Sequence, residues 1–148
     1  MEESLSNKLN YKIEFGSEKK LTPHDVSSKY SPLALAYIGD SIFDLYIKSH
    51  VVLEANMQSE KYHRTVSKIV SANAQERFID SYFDNLTEDE QAVYRRARNS
   101  SPHTKAKNAS LETYLKATGF EAVLGFLYLS EQNERLAEII TAALNILY

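Results

Sequence analysis

The chain has 148 residues, of which 43% are apolar and 25% charged, with a net charge of −3 and no cysteine. This length allows one folding unit with a sizeable core and is too short for two ordinary domains. The composition is that of a soluble globular protein, disulfides and thiolate metal sites are excluded, and net charge alone does not point to a nucleic-acid partner.

The N-terminal stretch MEESLSNKLNYKIEF carries acids where an export signal needs cations, so a cytoplasmic location is expected. Residues 1–21 read as a polar, loosely attached arm and residues 22–148 as one domain. Regular structure is expected from Thr22-Pro23, an N-cap followed by proline at the first helical position. Ser31-Pro32 repeats the signal and opens a helix predicted to run to about His50. It is apolar nearly all round and must be buried on several faces. Its apolar run, Leu33 to Ile47, is broken by Asp40 and Asp44 and falls short of the ~20 residues a membrane span needs.

From Ser59, SEKYHRTVSKIVSANAQERF puts Tyr62, Val66, Ile69 and Val70 on one stripe and Lys61, Arg64 and Lys68 elsewhere, an amphipathic helix. Ala74 to Phe83 predicts another. Thr87 and Glu90 form a capping-box signature that opens the next, which Asn99, Ser100, Ser101 and Pro102 bring to an end. Ser110 to Lys116, Phe120 to Leu129 and Asn133 to Leu147 give three further helical patterns. With no strand alternation of useful length, the predicted class is all-α.

Searches for nucleotide-binding loops, a serine elbow or a zinc-protease motif return nothing, and the histidines are too dispersed for a zinc site. Two acids stand out instead. Asp40 follows Gly39 in the most apolar helix, and Glu121 lies in ATGFEAVLGFLYL between Gly119 and Gly125. Neither has a lysine or arginine three or four residues away, and a buried unpaired carboxylate takes up a proton, a cation or a metal. Two readings stand at this point: acids on narrow solvent-facing strips or hydrogen-bonded to a buried tyrosine, or metal ligands.

Between Glu90 and Glu112 there is no acid, while Arg95, Arg96, Arg98, Lys105 and Lys107 supply five cations. A helix C-terminus favours the arginines through its dipole but does not account for the lysines beyond the break. Lys61, His63, Arg64 and Lys68 could extend the same surface. Acids able to hold a divalent metal, beside a basic edge for phosphates, point to phosphodiester chemistry.

ALAYIGDSIFDLY resembles the signature helix of the ribonuclease III catalytic domain, and TGFEAVLGFLYL resembles that domain's second acidic helix. SPLALAYIGD, VSANAQ, RRARNSS, TKAKNAS and TYLKATGFEAVLGFLYL are similar to the Mini-III branch, which lacks the double-stranded RNA-binding domain; the likeness spans roughly residues 24 to 140. It implies a Mg²⁺-dependent endonuclease cutting double-stranded RNA to leave 5′-phosphate and 3′-hydroxyl ends, with precursor large-subunit (23S) ribosomal RNA as substrate. Assistance by ribosomal proteins is left open, and no membrane is involved. It implies an all-α homodimer with the signature helix at the two-fold interface, where Gly39, Phe43 and Tyr46 are expected. By the same resemblance Asp40 and Glu121 are the catalytic and metal-binding acids, and Arg95, Arg96, Arg98, Lys105 and Lys107 the RNA contacts. The family at large has further acids where this chain has Ala36 and Thr118, a thinning that the Mini-III branch tends to share. The rival expectation is a catalytically silent relative that binds structured RNA or a ribosomal particle.

Overall fold

The structure is a computed structural model that describes residues 21–100 and 110–148. Among these residues all regular structure is helical: α1 (Pro23–Lys29), α2 (Pro32–Glu54), α3 (Ser59–Val70), α4 (Ala72–Tyr82), a single 3₁₀ turn (Phe83–Asn85), α5 (Glu88–Arg98), α6 (Leu111–Leu129) and α7 (Asn133–Leu147). Apart from Leu21, the expected arm lies outside the described residues, as do Lys105 and Lys107.

Side-chain caps start most of these helices and satisfy amide groups that have no partner within the helix. Thr22 and Asp25 form a reciprocal box at α1, Ser31 accepts from the Ala34 amide at 3.1 Å, and Thr87 and Glu90 form a second box at α5. Ser71 accepts from the Ala74 amide. For that reason α4 begins at Ala72, ahead of the predicted Ala74.

The central contact of the fold is α2 against α6, with α4 and α5 flanking α6, α3 lying on α2 and α7 closing one side. Phe120 of α6 anchors the core, with Phe43 of α2 at 5.2 Å and Phe78 of α4 at 5.4 Å between ring centres, both edge-on. Leu35, Ile47, Leu124, Leu127 and Leu136 are buried around them.

The patterns Ser110–Lys116 and Phe120–Leu129 are one continuous helix, α6. Gly119 does not interrupt it. A Cβ there would come within 2.6 Å of the Tyr94 ring, so the glycine makes room for a neighbour. A buried ion pair ties α5 to α7: Glu90, 1% exposed, accepts from Arg135 through both carboxylate oxygens at 3.0 Å. Among the described residues no helix is long and apolar enough to cross a membrane.

Candidate active site

The site begins with two glycines. A Cβ at Gly39 of α2 would overlap the backbone carbonyl of Glu121 on α6, and one at Gly125 would overlap the carbonyl of Leu35 on α2. Only glycine at both positions lets the two backbones touch. That contact brings together the next residue on α2, Asp40, and Glu121 itself, which interact by a side-chain hydrogen bond and through their charges.

The two acids differ in setting. Asp40 is exposed at the surface of α2, whereas Glu121 is half-buried. Burial, followed by the hydrogen bond and charge of Asp40, pushes the Glu121 carboxyl up to about 9; the Gln75 side chain acts in the opposite direction. A carboxyl so placed holds a proton at neutral pH until a cation replaces it. The donors are hard oxygens, which suit Mg²⁺ or Mn²⁺ rather than a soft metal. Among the described residues no cluster of three or more acids or histidines is placed to hold a metal ion, so the site rests on this pair. Ala36 and Thr118 are both buried, and the Thr118 hydroxyl donates to the Tyr114 carbonyl at 3.0 Å. Asp44, one turn beyond Asp40, pairs with Lys48 at 2.8 Å and belongs to the surface.

The other predicted residues fall in several places. Arg95, Arg96 and Arg98 are exposed near the end of α5. They also serve the fold: Arg95 lies over the Phe83 ring at 5.3 Å, Arg96 donates to the Ser27 carbonyl at 2.8 Å, and Arg98 sits beside the Tyr94 hydroxyl. Lys61, His63, Arg64 and Lys68 are exposed on α3. Gly39, Phe43 and Tyr46 were expected at a subunit interface, and this assignment needs correcting. Phe43 and Tyr46 are 1% and 2% exposed inside the protomer and Gly39 is spent on α6, so none offers surface to a second copy. The apolar side chains that α2 does expose are Leu33, Tyr37, Leu45, Val52 and Leu53.

Sequence reasoning missed Gln75. It is 3% exposed, stands on the buried face of α4 beside Ala74, Phe78 and Ile79 and interacts with Glu121. The sequence alone does not single it out, since an uncharged amide in an amphipathic helix is compatible with either face.

Comparison with known proteins agrees with the helical core. The ribonuclease III domain family matches residues 33–132. Mini-ribonuclease 3 of Streptococcus pneumoniae is 43% identical over 111 residues, covering 74% of this chain and 87% of that protein. The Enterococcus faecalis Mini-ribonuclease 3 is 44% identical over 110 residues, covering 73% and 83%. A crystal structure of a Fusobacterium nucleatum protein superposes with a TM-score of 0.73 at 26% identity, covering 80% of this chain and 95% of that one. The chain therefore belongs to the ribonuclease III family of endoribonucleases, in its Mini-ribonuclease 3 branch.

Proposed function

We propose that this chain is a Mg²⁺-dependent endonuclease of double-stranded RNA that matures the ends of precursor 23S ribosomal RNA. The observation that carries the reading is the acid pair, Asp40 and Glu121, held at a glycine-tight crossing of two rigid helices. These two residues would hold the metal. When bound, Mg²⁺ activates water for in-line attack and offsets charge on the scissile phosphate. Glu121 would give up its proton on taking a cation, and Asp40, exposed on α2, would share that cation with it. Thr118 and Ala36 contribute no charge, so a bound Mg²⁺ would rely on water and substrate oxygens beside this pair, as Mg²⁺ tolerates.

Arg95, Arg96 and Arg98, with Lys105 and Lys107 of the neighbouring segment, are assigned to RNA phosphates. Duplex RNA is recognised mainly through shape, phosphates and 2′-hydroxyls, which suits a charged edge without base-reading side chains. A homodimer supplies two sites, one for each strand. The exposed stripe of Leu33, Tyr37, Leu45 and Val52 on α2 is the surface assigned to the second copy. Ribosomal proteins that hold the RNA ends paired are candidate helpers.

The test is incubation of a paired RNA stem with wild type and Asp40→Asn, with Mg²⁺ or with chelator, followed by analysis of the product ends. Staggered cuts with 5′ phosphates that need both Mg²⁺ and Asp40 are expected. Retarded but uncut RNA would instead make the chain a silent binder.

A further inference from the structure

Gln75 is buried at a position where its size alone gives no reason for an amide. Its Nε2 donates to the Val70 carbonyl at 3.0 Å, one of the carbonyls left open at the C-terminal end of α3. Because a carbonyl can only accept, this bond fixes which way the amide faces. Oε1 is then left buried with no hydrogen-bond partner among the described residues. An orphaned buried acceptor costs on the order of 1–3 kcal/mol, whereas methionine or leucine would fill the same space without that cost. The same side chain acts on the Glu121 carboxyl, favouring its ionised form as an amide N–H turned towards it would. The amide thus spans from the turn between α3 and α4 to one of the two acids.

We propose that Gln75 is a positioning residue: pinned by the Val70 carbonyl, its amide holds the Glu121 carboxyl in the orientation in which, together with Asp40, it takes up a divalent cation. The proposal rests on the metal-site reading of the acid pair. It also gives the thinned acid set a physical complement, since Thr118 spends its hydroxyl on its own helix and Ala36 has none. Partners that orient metal ligands typically change metal affinity 10–100-fold when removed.

The alternative is that Gln75 only caps α3, and the two roles separate in a measurement made without RNA. Mn²⁺ binding to the full chain is measured by calorimetry for wild type, Asp40→Asn and Gln75→Met, with thermal melting alongside. Binding that depends on Asp40 and falls roughly 10-fold or more in Gln75→Met is expected. Unchanged Mn²⁺ affinity in Gln75→Met, with or without a lower melting temperature, overturns the positioning role and leaves the nuclease reading intact. Should Gln75→Met fail to fold, Gln75→Asn keeps an amide but withdraws it by one methylene, and the same outcomes decide. A wild type that binds Mn²⁺ through Asp40 yet leaves RNA uncut overturns the nuclease reading alone. A wild type without Asp40-dependent Mn²⁺ binding overturns both.

Discussion

Glu121 carries a stability cost that shows as a pH dependence. Its folded-state value of about 9 lies above its ordinary 4.5. Between those values the unfolded chain ionises freely while the folded chain keeps the proton. The contribution of this group is fully present below about 4.5 and is lost as pH rises through about 9, at up to roughly 1.4 kcal/mol per pH unit. Without added divalent metal, Glu121→Gln should therefore be the more stable protein at pH 8, and the gap should close towards pH 4. Denaturant unfolding at several pH values checks this; a gap independent of pH would mean that Glu121 is ionised in the folded chain. Asp40→Asn should likewise leave the metal-free protein at least as stable as wild type, and a large fall in melting temperature would assign Asp40 a structural hydrogen bond. Both acids were legible in the sequence because charge in an apolar helix without a nearby cation is conspicuous. Gln75 was not, because a neutral amide in an amphipathic helix gives no sign of which face it occupies until a partner helix is present.

Among the helices, α2 and α6 depend on glycine in a way that α5 and α6 do not. At Gly39 and Gly125 an added methyl meets backbone carbonyls that cannot move without shifting a whole helix. A methyl at Gly119 would meet the edge of the buried Tyr94 ring at 2.6 Å, with the Tyr94 carbonyl farther off at 3.1 Å, a lesser overlap than at the other two glycines. Gly39→Ala and Gly125→Ala are expected to destabilise by roughly 1–3 kcal/mol or more, and Gly119→Ala by less, as read from thermal or denaturant midpoints. Comparable losses at all three would show that the Tyr94 ring is as fixed as backbone. The Glu90–Arg135 pair predicts a comparable effect: Glu90→Ala removes a two-oxygen contact with Arg135 and the capping contact to the Thr87 amide, while Arg135 keeps Glu138 at 2.7 Å and the Asn85 carbonyl, and it should cost about 1–3 kcal/mol, measured in the same way. Helix starts were well marked in the sequence by Thr22, Ser31 and Thr87, whose side chains act locally. The continuity of α6 through Gly119 was not, since the reason for that glycine is a tyrosine on another helix. The inward burial of Phe43 and Tyr46 was hidden for the same reason: a helix apolar on all sides does not disclose which side its own core takes up.

For the molecule as a whole, the exposed row of Leu33, Tyr37, Leu45 and Val52 predicts association. Leu45→Glu should shift the proposed dimer to monomer by light scattering without unfolding it, because Leu45 is 49% exposed within the protomer. A monomeric wild type would remove the second strand's cutter from the mechanism. Binding of duplex RNA through the α5 edge should weaken steeply with salt, as counterions compete for the phosphates. The contact at Gly39 and Gly125 has one more consequence, for cooperativity. The acids come from segments far apart in the chain and meet only where two core helices abut, so no loop opening or frayed end can separate them. Metal uptake should therefore vanish together with helix content along a denaturant titration, making the bound ion a reporter of global unfolding.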